Sequence, residues 1–208
     1  MKIITNRHEC VDLGLPSGTL WAKTNVGAME ETETGFYFAW GETEGYYTAC
    51  QIPSKKKFNW DDYKFGSRSP FSKYDNDGEE TVLDLEDDAA RANWGGDWHM
   101  PTVEQFDELF NTDYVTNEWV TNYQGSGING RLFTSVSNGN TLFIPAAGVY
   151  LNGIIYGINE FGNVWCSSLC IGNANSALGL YFDSIVEDID YYGRCGGRSV
   201  RGVISMKK

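Results

Sequence analysis

Trp98-His99-Met100-Pro101-Thr102-Val103-Glu104-Gln105-Phe106-Asp107-Glu108-Leu109-Phe110 is the stretch on which the fold of this chain turns. Pro101 closes an extended segment, because proline disfavours helix in the residue before it. Thr102 and Gln105 then have the spacing of a capping box, in which each side chain satisfies a backbone N–H left over by the first helical turn. Val103, Phe106, Leu109 and Phe110 recur at intervals that place them on one apolar side of a helix. Just upstream, residues 85–92 read as a shorter helix led by Glu86-Asp87-Asp88, acids that suit the positive end of a helix dipole. Earlier still, residues 18–26 and the run Gly35-Phe36-Tyr37-Phe38-Ala39-Trp40 read as strands.

Beyond Asn111 the pattern changes to strands. Residues 131–137 and 141–144 flank Asn138-Gly139, a two-residue hairpin signal because a type I′ turn needs positive φ at both positions. Asn152-Gly153 repeats the signal between Val149-Tyr150-Leu151 and Ile154-Ile155-Tyr156. Residues 163–169, 177–184 and 199–204 predict further short strands. Two helices followed by mostly antiparallel strands define an α+β class with a twisted sheet and long loops. No internal repeat or low-complexity linker divides the chain, so a single domain is expected over 9–204, between a flexible amino end (1–8) and a tail (205–208).

Bulk properties narrow the functions open to it. Among 208 residues, 41% are hydrophobic and 14% aromatic, enough for a packed core. The formal charge of −12 and isoelectric point of about 4.5 argue against nucleic acid and anionic membranes, which require basic surface. No stretch approaches the roughly 18 apolar residues of a membrane span. Met1 to His8 lacks the apolar core of a signal peptide. Cys10, Cys50, Cys166, Cys170 and Cys195 have no paired spacing and read as free thiols.

Chemistry-bearing groupings are sparse. His8 lies in the expected frayed end, and His99, between Trp98 and Met100, reads as a packed residue, so no catalytic triad or zinc pair can be assembled. Lys55-Lys56-Lys57 reads as a solvated loop, and Asp61-Asp62 as loop acids. Glu86-Asp87-Asp88 could bind a cation or do acid–base work, though a helix start explains them, and Asp75-Asn76-Asp77-Gly78 imitates the opening of a calcium loop without its closing Glu; no cofactor is expected beyond a structural calcium in some loop. Gly125-Ser126-Gly127 lacks the Lys of a phosphate loop. The glycine-rich bend at Gly193-Arg194-Cys195-Gly196-Gly197-Arg198 admits either a strand connection or anion binding.

The carboxyl-terminal stretch is more informative. In Ala177-Leu178-Gly179-Leu180-Tyr181-Phe182-Asp183-Ser184, Leu178, Leu180 and Phe182 alternate onto a face expected to be buried, while Gly179, Tyr181 and Asp183 share the other. Residues 185–193 mix apolar, acidic and tyrosine residues without a regular period and read as a loop. Ile185, Val186, Ile189, Tyr191 and Tyr192 suit a recognition surface, since tyrosine offers a large rigid contact with a hydrogen-bonding tip.

Several phrases together resemble the Fibrobacter succinogenes major paralogous domain family of gut Bacteroides-type bacteria and their phages. They are Val11-Asp12-Leu13-Gly14-Leu15-Pro16-Ser17-Gly18-Thr19-Leu20-Trp21-Ala22, Tyr37-Phe38-Ala39-Trp40-Gly41-Glu42, Asp87-Asp88-Ala89-Ala90, Asn93-Trp94-Gly95-Gly96-Asp97-Trp98-His99-Met100-Pro101-Thr102, Leu142-Phe143-Ile144-Pro145-Ala146-Ala147-Gly148 and Ser199-Val200-Arg201. The resemblance spans about 9–203. It implies a C-type-lectin-like fold of the formylglycine-generating-enzyme type. That enzyme's activity does not follow, because its cysteine pair is not matched by Cys166, Cys170 or Cys195. The calcium-dependent sugar phrases of ordinary C-type lectins are also missing.

One branch of that fold serves as the variable protein of diversity-generating retroelements, and residues 163–197 resemble its variable region. The resemblance implies a fixed frame of Trp165, Ser167, Ser168, Ala177, Leu178, Leu180, Phe182, Ser184, Arg194, Gly197 and Arg201. It implies variable, ligand-contacting positions at Cys166, Cys170, Ile171, Gly172, Asn173, Gly179, Tyr181, Asp183, Ile185, Asp188, Ile189, Asp190, Tyr191, Tyr192, Cys195 and Gly196. Randomising the first two bases of asparagine codons never yields Lys, Gln, Glu, Met or Trp. The window holds no Lys, Gln or Met, and its one Trp lies in the frame; Glu187 could not arise that way. The expectation is a monomeric, non-enzymatic receptor or adhesin-type domain on a cell surface or phage virion, with a protein or cell-surface ligand. A non-diversified adhesin domain and a degenerate enzyme on the same fold are the alternatives.

Overall fold

The computed structural model describes residues 3–47, 56–67, 70–75 and 81–205. It is α+β, dominated by antiparallel strands. Strands β1 (Ile3–Thr5), β2 (His8–Asp12) and β3 (Thr19–Asn25) form one sheet with β12 (Arg201–Ser205), so the first and last strands of the described residues share a sheet. Trp21 lies opposite Val203, and Leu20 opposite Ile204. A second sheet holds β4 (Val115–Val120), β5 (Gly130–Ser135) and β6 (Thr141–Pro145). The pair β7 (Val149–Leu151) and β8 (Ile154–Tyr156) is joined by Asn152 and Gly153, both at positive φ, as a type I′ turn requires. The third sheet runs in the order β11 (Glu187–Gly193), β10 (Ser176–Phe182), β9 (Gly162–Leu169).

Helix α2 (Val103–Phe110) begins where the capping box places it, with Gln105 Oε1 accepting from Thr102 N at 3.0 Å. Its buried residues, Phe106 and Leu109, pack with Trp21, Phe133, Val164, Leu180 and Phe182. A second cluster gathers the aromatic run Tyr37-Phe38-Ala39-Trp40 with Trp94, Trp98 and Trp165. β9 divides its side chains between the two clusters, Val164 to one and Trp165 to the other, which is why it is buried along almost its whole length.

Four local expectations require correction. The amino end is ordered from Ile3: β1 pairs with β2, and the His8 ring stacks on Trp94 at 4.2 Å. The aromatic run 35–40 is not a strand; Tyr37 bridges Tyr46 and Phe38 bridges Arg198, and its burial comes from neighbours on several sides. The hairpin at Asn138-Gly139 closes through residues 136–140, because Gly139 alone takes positive φ there. Helix α1 occupies Ala89–Trp94, so Glu86 and Asp87 precede it. Asp88 caps it, accepting from Arg91 N at 2.9 Å.

Asp87 has a different task. Its buried carboxylate accepts from Lys64 Nζ at 2.6 Å, Lys73 Nζ at 2.6 Å and Tyr74 OH at 2.7 Å. Burial raises its pKa, but these donors outweigh burial and hold the carboxyl below its ordinary range. Lys56 is likewise not solvated: it is buried and 2.7 Å from Glu42. Lys55, Cys50 and Asn76-Asp77-Gly78 lie outside the described residues.

Two arginines are completely buried. Arg201 donates to the carbonyls of Ala22 (3.0 Å), Lys23 and Phe143 (3.1 Å), stitching β12 to β3 and β6. Arg194 sits among Trp40, Tyr63, Phe65, Phe71 and Tyr74, with its guanidinium carbon 4.5 Å from the Phe71 ring and 4.9 Å from the Trp40 ring. It donates to Tyr63 OH (2.9 Å) and to the carbonyls of Tyr74 (2.9 Å), Ala174 (2.8 Å) and Lys73 (3.1 Å).

Lysine at 194 would keep the charge but lose the planar fork that reaches four acceptors. Arg194→Lys is therefore expected to lower stability by about 3 kcal/mol, read from the urea midpoint. Asp87→Asn should lower stability at pH 7 and much less in acid. A carboxyl with a depressed folded-state pKa stabilises fully above its unfolded value of about 4 and loses that contribution as pH falls through the folded value. Melting curves of both proteins between neutral and acid pH check the convergence.

Candidate functional site

The sequence-predicted residues converge on the sheet β9–β10–β11. β10 presents Leu180 and Phe182 to the core, with Leu178 half-buried beside them against α2, as its alternation requires. The expected loop over 185–193 is instead mostly strand, since β11 pairs with β10 along its length: Phe182 faces Glu187, Leu180 faces Ile189 and Leu178 faces Tyr191. Its weak sequence period follows from its place. β11 is an edge strand with solvent beside it, so only Ile189 of its apolar set packs against a core cluster on the α2 side.

The tight turn before β11 is built by Asp183. Its Oδ1 accepts from Ile185 N (2.7 Å) and Val186 N (2.8 Å), and Tyr181 OH donates to its Oδ2 (2.9 Å). The two backbone donors hold this carboxyl below its usual pKa. Asp183 thus shapes the hairpin instead of standing free for a ligand. The Tyr181 ring also stacks on Phe161, 5.7 Å between centroids, a neighbour that no sequence pattern tied to it.

Exposure sorts the predicted contact positions. Ile171 (83% exposed), Ile185 (85%) and Tyr191 (61%) stand well out. Gly172, Asp188 and Asp190 are exposed, and Cys170, Asn173, Tyr181, Asp183, Ile189 and Tyr192 are half-buried. Cys166, Gly179, Cys195 and Gly196 are corrections: all four are buried and cannot offer a side chain to a ligand. Cys166 points into the cluster around α2. A Cβ on Gly196 would come within 2.6 Å of Arg198 Nη1, and one on Gly179 within 2.9 Å of the Val164 carbonyl. Ile171 and Ile185 occupy opposite ends of β10, roughly 20 Å apart at the rise of a strand. The accessible positions therefore form a strip along β11, not a compact patch.

Tyr192 has a role that the sequence hid. Its ring and that of Trp165 flank the buried Arg198 guanidinium, whose carbon lies 4.2 Å and 4.4 Å from the two centroids. Burial, then the Asp190 charge, pushes the Tyr192 phenol up to about 12, and burial lowers Arg198 to about 10. Both arginines of the glycine-rich bend, Arg194 and Arg198, are buried, which leaves neither side chain for an anion from solution.

On the α2 side of the sheet lies an open groove of about 560 Å³. Val103 and Phe110, the flanks of the helix's apolar stripe, form its floor with Leu178 and Ile189. One wall is Glu187, which forms an ion pair with the buried Arg131 of β5 and so ties the start of β11 to the second sheet.

Other ionisable groups offer little chemistry. Asp84, Glu86 and Asp87 bring carboxylate oxygens within 4.8 Å of one another, but Lys73 Nζ reaches all three, at 2.6, 2.9 and 2.6 Å, and supplies the cation itself. His99 Nδ1 lies 3.0 Å from the Met100 carbonyl. Cys10, Cys166, Cys170 and Cys195 are free thiols. Burial raises Cys166 and Cys195 to about 11, far from nucleophilic range at neutral pH.

The geometry separates two tyrosines that sequence treats alike. Tyr192→Ala should cost on the order of 2 kcal/mol, because it uncovers Arg198 and Trp165. Tyr191→Ala should change stability by less than about 0.5 kcal/mol. Equal urea midpoints for the two variants would contradict this assignment. No protein-family model, curated protein or solved structure matches this chain.

Proposed function

We propose that this chain is a ligand-binding domain of receptor or adhesin type, with a C-type-lectin-like fold of the formylglycine-generating-enzyme kind. In this reading it is a variable protein of a diversity-generating retroelement, and its contact residues lie on and around β11. The observation that carries the reading is the division of labour within 163–197. Trp165, Ala177, Leu180, Phe182, Arg194 and Gly197 are buried in the frame, while Ile171, Ile185, Asp188, Asp190 and Tyr191 stand exposed between them. Exposed substitutions on such a frame cost little stability, so the surface can change while the fold stays.

Glu187 supports the same reading from an unexpected direction. It is the one residue at an accessible position of β11 that randomised asparagine codons cannot encode, and it is committed to Arg131. A templated structural residue is expected there. The buried Cys166 and Cys195 thiols, held far above nucleophilic range, favour binding over cysteine-based catalysis. Tyr191, Ile185 and Ile171 would supply apolar contact, and Asp188 and Asp190 would select a ligand bearing positive charge.

Deep sequencing of the 3′ end of this gene in its source population, with the neighbouring DNA, tests the proposal. Substitutions are expected at adenines of a nearby template copy, concentrated in codons for the exposed positions and sparing Glu187, Gly179, Cys166, Cys195 and Gly196. An invariant segment with no template copy or reverse transcriptase nearby would remove diversification and leave a binding domain with a fixed surface.

A further inference from the structure

We infer that β11 is a strand-addition site for an extended segment of a basic partner, in which apolar residues alternate with Lys or Arg. The inference rests on the reading of β11 as part of the binding face, and it names the partner's chemistry. Antiparallel pairing alternates between residues bonded to the neighbouring strand and residues whose N–H and C=O point away from it. Ile189 N donates to Asp188 Oδ1 at 2.8 Å and Tyr191 N to Asp190 Oδ1 at 2.7 Å, so these amides face outward from β10. The edge thus carries two outward backbone donors, each met by the carboxylate of the preceding residue.

An incoming strand would take over those donors with its carbonyls, and the displaced carboxylates would need a cation. Side chains of the added strand opposite Ile189 and Tyr191 would fall on the α2 side, over the groove floored by Val103, Phe110, Leu178 and Ile189. Those opposite Asp188 and Asp190 would fall on the other face, beside the freed carboxylates. Period two in the strand therefore dictates an apolar–basic alternation in the ligand. The groove rim adds Asp107, Glu187 and the edge of Asp188, no Lys or Arg among the described residues lines it, and the chain's net charge is −12. A second copy of this chain is disfavoured as the occupant: pairing β11 with itself would set Asp188 and Asp190 of one copy against those of the other.

The test uses the full chain, isotope-labelled, with the peptide acetyl-(Arg-Val)4-amide as probe and (Glu-Val)4 and (Arg-Ser)4 as controls. The (Arg-Val)4 peptide should slow hydrogen exchange of the Ile189 and Tyr191 amides by about tenfold or more and leave those of Asp188 and Asp190, already in the ladder, unchanged. Asp188→Asn combined with Asp190→Asn, which keeps the acceptors but removes both charges, should weaken binding by about three- to tenfold. Tyr191→Pro removes an outward N–H at an edge position and should abolish binding. The exchange measurement on the unmodified protein decides the matter even where that variant folds poorly. No binding up to about 1 mM peptide, binding that leaves the 189 and 191 amides fast, or equal binding of (Glu-Val)4 overturns the inference. Protection of the two amides by self-association alone, seen by sedimentation without peptide, overturns it too. An invariant gene segment would sink the diversification reading while leaving this amide signature intact, so the two failures are distinguishable.

Discussion

Arg194 holds a full positive charge at zero exposure, and among the described residues its hydrogen bonds go to a phenol and three carbonyls, not to a carboxylate. Five aromatic rings surround it, so the charge is balanced by ring quadrupoles and backbone dipoles. Its position in the chain gives the arrangement its reach. Arg194 directly follows β11, its N–H bonds the Asn175 carbonyl and its carbonyl receives Trp40 N. One side chain thereby joins the end of the edge strand, the 170–175 connection and the aromatic segment 60–74. Without that side chain the aromatic rings would lose their common centre, and the end of β11 would be held by backbone bonds alone.

The other end of the same strand is held by charge. Glu187 meets Arg131 of β5, and Asp183 closes the turn just before it. Between these two anchors the exposed residues of β11 make few demands on the core. Trp165 secures the sheet from beneath, its indole N–H donating to the Phe38 carbonyl at 2.8 Å, while the Trp40 indole donates to the Cys166 carbonyl at 2.9 Å. The exposed surface and the buried frame are thus separated within single strands, by the alternation of side chains.

Legibility in the sequence followed the range of the interactions. The helix at Val103–Phe110, the hairpin at Asn152-Gly153 and the buried face of β10 were readable because caps, turns and periodicity act over a few residues. β11 was not, because Ile189 packs on the α2 cluster and Tyr192 on the aromatic cluster of the opposite face, so neither face is uniformly apolar. Cys166, Cys195, Gly179 and Gly196 were misplaced because their burial is set by residues far away in the chain, Leu151 beside Gly196 and Val164 beside Gly179 among them. The Lys73–Asp87–Tyr74 network and the Arg131–Glu187 pair join segments 13 or more residues apart, and no local pattern announces them. The roles of Tyr192 and Arg198 were hidden for the same reason: stacking leaves no spacing rule.

The short-range bonds of the 183–191 segment have a consequence for how a ligand is met. Asp183, Asp188 and Asp190 each fasten a backbone amide within three residues of themselves, so this hairpin carries its shape in its own sequence. A surface already ordered before contact forfeits little conformational entropy on association, and more of the contact energy remains as affinity. Tyr191 and Ile185 can therefore be exchanged for other side chains while the backbone that displays them keeps the same preorganisation.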